Sequence, residues 1–207
     1  MILVEHFAEQ ADALCRVCHL LGQRQWCLAT SGNFSVRAGA SHCLITRSGR
    51  DKTRLTPADL MICDLDGVPL ETGLEPSAET PLHTCLYRLD KRTAAVLHTH
   101  SVAATVMSRA AGAEIEFSGF EMQKAIAGIR SHAGAVRLPV FENTQDMPQL
   151  AARLRSRAGA GSFPVPGFLV RGHGLYAWGT NLAEATRHIE GLEFLLSCAL
   201  QEGMLRR

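Results

Sequence analysis

Neither charge is in surplus along this chain: 21 lysines and arginines stand against 20 aspartates and glutamates, a formal net charge of +1. That balance excludes the one-signed field with which a protein gathers nucleic acid or an anionic membrane, so any bound anion is expected to be small. Long apolar runs are lacking too. The hydrophobic stretches are short and broken by charges, and no basic segment followed by an apolar one opens the chain. A soluble, unprocessed, cytoplasmic protein is the expectation. A disulfide framework is also missing, because seven cysteines, at 15, 18, 27, 43, 63, 85 and 198, are odd in number and fall mostly inside patterned segments. Cys15 and Cys18 form a C-x-x-C with no second pair to complete a structural zinc site, so they read as core thiols in a reducing compartment. No repeat, low-complexity tract or linker divides the chain, and 46% hydrophobic content supplies a core for one domain over residues 1–207.

The pattern that is present alternates helix and strand. Val4, Phe7, Ala11, Leu14, Cys18 and Leu21 mark a helical stripe that Gly22 can end. Asn33 to Arg37 and His42 to Thr46 flank Ala38-Gly39-Ala40-Ser41 as a hairpin, and Leu60 to Asp64 begins another strand. Thr56-Pro57-Ala58-Asp59 has the cap, proline and acid of a helical turn. Helices are predicted over 78–89, 101–109, 120–126, 146–157 and 181–201, and strands over 93–98, 136–141, 168–170 and 175–178. A glycine-rich loop is expected over 158–167. Irregular alternation with hairpins predicts an α/β layered fold around a largely antiparallel or mixed sheet.

His98 and His100 lie one residue apart at the end of the apolar run Ala94 to Leu97, where a strand hands over to a helix. Side chains at i and i+2 of a strand project from one face, so both rings can reach one ion without distorting the backbone. Of the other seven histidines, His173 in Gly172-His173-Gly174 is the best third ligand, since its glycines permit a sharp turn and close approach. Three imidazoles leave a metal position open, the pattern of a catalytic centre; zinc is the first choice, and iron, cobalt or manganese also suit nitrogen donors. The alternative is that both strand-end histidines simply bond the backbone.

An open position invites a ketone or enediolate oxygen, and proton transfer then needs a nearby base. Glu79 and Glu121 are the candidates, although either could be an exposed acid at a helix start. Three segments have the hydroxyls, glycines and lysine that cradle a phosphate: Thr30-Ser31-Gly32-Asn33, Arg47-Ser48-Gly49-Arg50 with Lys52, and Ser77-Ala78. Each alone is also an ordinary turn.

Taken in order, Thr30-Ser31-Gly32-Asn33, Ser48-Gly49, Pro76-Ser77-Ala78-Glu79, His98-Thr99-His100 and Gly172-His173-Gly174 resemble the class II aldolase/adducin-head family across nearly the whole chain. Within it, Ser48 to Lys52, Glu121-Met122-Gln123-Lys124 and Gly172 to Gly179 look most like the dehydratase branch that serves methionine salvage. The resemblance implies a class II aldolase-like α/β sandwich on a central, mainly antiparallel sheet, assembled as a homotetramer with sites between subunits. It implies one zinc per subunit on His98, His100 and His173, and dehydration of the sugar phosphate 5-methylthioribulose 1-phosphate to 2,3-diketo-5-methylthiopentyl 1-phosphate. It further implies Glu121 as the acid/base, Glu79 where related aldolases carry an active-site glutamate, and Ser31, Gly32, Asn33, Ser48, Gly49, Lys52, Ser77 and Ala78 around the substrate. Aldolases of this family use a tyrosine near the end of the chain, and residues 201–207 contain none. That disfavours the alternative, a class II aldolase or 4-epimerase acting on another ketose phosphate. A non-catalytic adducin-like module would gain little from an open metal site.

Overall fold

A computed structural model describes residues 3–159 and 163–206. Its frame is an eight-stranded sheet whose strands, in chain order, are β1 (Asn33–Ala38), β2 (His42–Thr46), β3 (Leu60–Asp64), β4 (Ala95–Thr99), β5 (Glu114–Phe117), β6 (Val136–Phe141), β7 (Gly167–Val170) and β8 (Gly174–Gly179). They lie side by side as β3-β2-β1-β4-β8-β7-β6-β5. Every neighbouring pair is antiparallel except β6 and β7, which run parallel. The mixed, mainly antiparallel expectation holds.

The helices are α1 (Ala8–Gln23), α2 (Thr80–Leu89), α3 (Val102–Ala110), α4 (Met147–Gly159) and α5 (Leu182–Leu205). Alternation along the strands explains the layering, since successive side chains serve opposite faces. Phe34, Val36, Leu44, Leu97 and Leu175 pack with α1, α3 and α5, whereas Cys43, Ile45, Val96, Phe168 and Tyr176 pack with α2 and α4. The result is helices on both faces of one sheet. The cysteines are free, and all but Cys198 are buried, as expected of core thiols. No helix among the described residues is long and apolar enough to cross a membrane.

Local signals account for most boundaries. The Ser101 hydroxyl accepts from Ala104 N–H at 2.9 Å and caps α3, and Asn181 caps α5 by accepting from Glu184 N–H at 2.8 Å. Thr56 and Asp59 form a capping box around a single 3₁₀ turn, Pro57–Asp59. Three expectations need correction. Gly22 does not end α1; it is buried inside the helix, where an added Cβ would lie 2.8 Å from Thr53 Cγ2, so it serves close packing against the 52–53 backbone. The 120–126 stretch is a 3₁₀ segment, Glu121–Ala125, and the edge strand β5 was not anticipated, its alternation of exposed glutamates with buried Ile115 and Phe117 running for only four residues. Of the glycine-rich loop at 158–167, residues 160–162 lie outside the described residues, and its last glycine opens β7.

Candidate metal centre

Sheet order brings the site together. Asn33 of β1 pairs with His98 of β4, and His98 pairs with Tyr176 of β8, so three neighbouring strands present these residues side by side on the α2/α4 face. His100 follows two residues after His98, as the strand period requires. His173 arrives from the turn before β8. That turn needs its glycines: Gly172 has a positive φ of 65°, and a Cβ on Gly174 would fall 2.0 Å from the Thr99 carbonyl oxygen. Glu79 stands at the N-terminus of α2, immediately before its first turn.

The result is a four-donor cluster in which one ligand atom each from Glu79, His98, His100 and His173 lies within 4.8 Å of all the others. His98 Nε2 is 2.8 Å from His100 Nε2 and 3.4 Å from His173 Nε2. Glu79 Oε1 is 3.4 Å from His98 Nε2 and 3.1 Å from His173 Nε2. Bonds of about 2.0–2.1 Å to one ion place neighbouring ligand atoms roughly 3 Å apart, so these separations suit donors that converge on a single cation. Two further observations support the fit. The His98 Nδ1–H donates to the Leu175 carbonyl at 2.9 Å, which leaves the Nε2 lone pair facing the cluster. Glu79 Oε1 is buried with no hydrogen-bond partner among the described residues, as an oxygen reserved for a cation would be.

Electrostatics agree. Burial raises the Glu79 pKa, but the imidazoles of His98 and His173 outweigh it and hold the carboxyl well below the usual carboxylate range. Burial, reinforced by the other two imidazoles, pushes His100 down to about 3, and burial does the same to His83 beneath the site. Imidazole nitrogens and a carboxylate oxygen form a donor set for a divalent cation. The Tyr176 ring stacks on His98 with centroids 3.9 Å apart and planes 11° from parallel, which fixes the imidazole from below.

Beside the cluster, a cavity of about 140 Å³ is lined by Ser31, Gly32, Asn33, Ser48, Gly49, Lys52, Ser77, Glu79 and His100, together with Thr30 and Arg47. The lining includes seven of the eight residues expected around the substrate. Ala78 does not line it, and Lys52 takes another part. Its buried Nζ donates to the Thr30 and Arg50 carbonyls at 2.9 and 2.7 Å, so it braces two of the cradle loops, with burial lowering its pKa. Arg47 was quoted in its motif but not chosen as a site residue. Ala29 and Thr30 both adopt positive φ, 52° and 64°, so the backbone is strained where it enters the cradle. On the far side of His100, a larger cavity of about 420 Å³ is lined by Leu28, Thr105, Asn143, Gln145 and His173, and shares Ser31.

Glu121 is not brought to this cluster. Its side chain is 67% exposed and pairs with Lys124 at 2.5 Å and His132 at 2.7 Å. These contacts, Lys124 first, lower its pKa.

Residues 12–200 match the family described as Class II Aldolase and Adducin N-terminal domain. The chain belongs to the class II aldolase and adducin family. Curated relatives within this family include methylthioribulose-1-phosphate dehydratases from Serratia proteamaculans (strain 568), 48% identical across 95% of this chain and 97% of that protein, and from Pectobacterium atrosepticum, 50% identical across 95% and 96%. Among solved structures, the L-fuculose-1-phosphate aldolase of Thermus thermophilus superposes with a TM-score of 0.73 at 27% identity, covering 95% of each chain. The class II aldolase fold read from the sequence is therefore the observed one.

Behind the histidine strand of this class II aldolase domain lies a buried acid that sequence inspection passed over. Glu193 of α5 accepts from Thr99 Oγ1 at 2.5 Å, and burial, opposed by hydrogen bonds from Ser101 and Thr99, raises its pKa from 4.5 to about 7. Between those values the folded state binds more protons than the unfolded chain, so stability falls as pH rises through this window, by about 3 kcal/mol in total. Urea titrations from pH 4.5 to 8 should reveal that slope in wild type relative to Glu193→Gln, which cannot ionise. Parallel pH profiles for the two proteins would refute it.

Proposed function

We propose that this protein is a zinc-dependent hydro-lyase of methionine salvage, a methylthioribulose-1-phosphate dehydratase acting as a cytoplasmic homotetramer. One observation carries the reading: a chain half identical to such dehydratases over nearly its full length sets three imidazoles and a carboxylate beside a phosphate-sized cradle. The substrate is 5-methylthioribulose 1-phosphate and the product 2,3-diketo-5-methylthiopentyl 1-phosphate. His98, His100, His173 and Glu79 would hold the zinc, which would supply Lewis-acid polarisation of ketose oxygens, an effect worth several kcal/mol in general.

The chain's own residues do the rest. Ser31, Ser48 and Ser77 offer hydroxyls, Gly32 and Gly49 offer backbone N–H groups, and Arg47 offers a charged donor to the phosphate, fixing one end of the sugar. Asn33 and Lys52 hold that cradle in shape. The other end of the substrate extends past His100 into the larger cavity between Leu28, Asn143 and Gln145. Glu121, reaching over from a neighbouring subunit, takes the C3 proton as a carboxylate. It then returns that proton to the C4 hydroxyl, which departs as water, because expelling hydroxide would be far harder. The enol that remains relaxes to the diketone. Glu79 stays an anion throughout and anchors the metal.

Product analysis tests the reading. Incubation with 5-methylthioribulose 1-phosphate should yield diketone, whereas fuculose and ribulose phosphates should persist; triose phosphate among the products would sink it in favour of an aldolase. Arg47→Ala should raise KM about 10-fold or more with kcat little changed, the signature of lost uniform binding to the phosphate.

A further inference from the structure

We propose that His83 is a positioning residue at the centre of a one-way hydrogen-bond relay, Tyr87 to Ser35 to His83 to Asn33 to Glu79, that aims the Glu79 carboxylate at the donor cluster. The proposal deepens the reading of Glu79 as a metal anchor and rests on it for its purpose, though not for its geometry.

The relay is built from two elements that pack together. Glu79, His83 and Tyr87 recur at four-residue steps, one face of α2, while Asn33 and Ser35 occupy the same face of β1. Asn33 Nδ2 bonds Glu79 Oε2, and Asn33 Oδ1 bonds His83 Nε2. His83 Nδ1 is 2.7 Å from Ser35 Oγ, which is 2.8 Å from Tyr87 Oη. Asn33, Ser35, His83 and Tyr87 are all buried, leaving no room for water to supply other partners.

Direction follows from donor and acceptor chemistry. An ionised carboxylate only accepts, so the Asn33 amide must turn its NH₂ toward Glu79 and its carbonyl toward His83. The Asn33 carbonyl then requires a proton on His83 Nε2. A neutral imidazole has a single N–H, which leaves Nδ1 as an acceptor for the Ser35 hydroxyl. With its one proton committed to His83, Ser35 must accept from Tyr87. Each donor therefore points toward Glu79, and aligned bonds of this kind polarise one another. A protonated His83 would break the order by donating at both nitrogens, and burial disfavours that charge.

The consequence for the site is a division of labour between the two carboxylate oxygens. Oε2 is held by Asn33, while Oε1 has no hydrogen-bond partner among the described residues and faces His98 and His173. Partners behind a ligand in this way typically change metal affinity by about 10–100-fold when removed.

The decisive measurement is nitrogen NMR of the full-length protein labelled with ¹⁵N-histidine, first stripped of metal and then loaded with Zn²⁺, with the His83 signal assigned by its loss in His83→Gln. A neutral ring protonated on Nε2 in both forms is expected; a proton on Nδ1, or on both nitrogens, overturns the relay. Zinc competition against a chromophoric chelator supplies the second readout. Ser35→Ala and His83→Leu should weaken binding about 10-fold or more, and His83→Gln, whose amide N–H can replace Nε2–H, should recover most of that loss. Wild-type zinc affinity in a folded His83→Leu protein would overturn the proposal. Failure of the wild type to bind zinc would instead refute the metal reading, and the ring tautomer would still decide the relay.

Discussion

Replacing His173 or His100 with alanine is expected to release the bound divalent cation and to lower kcat/KM by about 10³-fold or more. The size follows from what the substitution removes. Each imidazole is one of four donors that converge on one small volume, and the remaining three are held apart by different elements, His98 by strand pairing and Glu79 by the start of α2, so they do not close around the gap. His173 is the cleanest test. Its side chain is 20% exposed, and it sits in a turn, so its loss should leave the fold intact. His98 is fully buried under Tyr176 and bonded to Leu175, and His98→Ala would add a cavity to the lost donor. His98→Asn is the better variant there, since its amide can still donate to the Leu175 carbonyl. Elemental analysis of the purified proteins, paired with turnover, checks the prediction. Full metal content with unchanged turnover in His173→Ala would refute the metal centre.

The expected dependence on Glu79 differs in kind. Its Oε1 faces the three imidazoles and its Oε2 is tied to Asn33, so in the proposed metal centre Glu79→Gln would present an amide where a charge is needed. Metal affinity should fall more than KM rises.

How much of this could be read from the chain follows from what periodicity encodes. A His-x-His on a strand declares a shared face, and Gly-His-Gly declares a turn, because both depend on neighbours within three residues. The three cradle segments were legible for the same reason, each being a short run of hydroxyls and glycines. What periodicity does not encode is which strands become neighbours. β1, β4 and β8 come from far apart in the chain, and only their pairing puts Asn33, His98 and Tyr176 in one row. Ser35, His83 and Tyr87 were missed accordingly. His83 and Tyr87 look like ordinary buried positions of an amphipathic helix, and the signal that could have found them is the four-residue step Glu79, His83, Tyr87 set against Asn33-x-Ser35. Glu193 was missed because a single glutamate in a long helix reads as solvated, while here it faces Thr99 from the opposite side of the sheet. Lys52 was found as a cradle residue, but its bonds to the Thr30 and Arg50 carbonyls, which brace two loops, were not anticipated.

Glu121→Gln is expected to lower kcat by about 10²–10⁴-fold while leaving metal content and fold unchanged. The structure makes this a sharp test, because Glu121 lies outside the four-donor cluster of its own chain and pairs on the surface with Lys124 and His132. A general acid/base exposed to water and bonded to a lysine is a carboxylate, suited to take the C3 proton but not to begin as an acid. Its pairing with Lys124, which lowers its pKa, agrees with the proposed order in which proton abstraction comes first and delivery to the leaving hydroxyl second. Docking against a neighbouring subunit would exclude the water around it and bring it to the other copy's metal. Mixed assemblies separate this arrangement from any site contained in one chain. His173→Ala and Glu121→Gln subunits are each expected to be nearly inactive alone. Random mixing places an intact cluster opposite an intact Glu121 in roughly a quarter of shared sites, so co-expressed subunits should recover about that fraction of wild-type turnover. Recovery cannot occur if both residues must come from the same chain. Mixtures as inactive as their parents, in assemblies shown by mass to contain both subunits, would therefore remove Glu121 from the neighbouring site and leave the proton transfer to groups already beside the cluster.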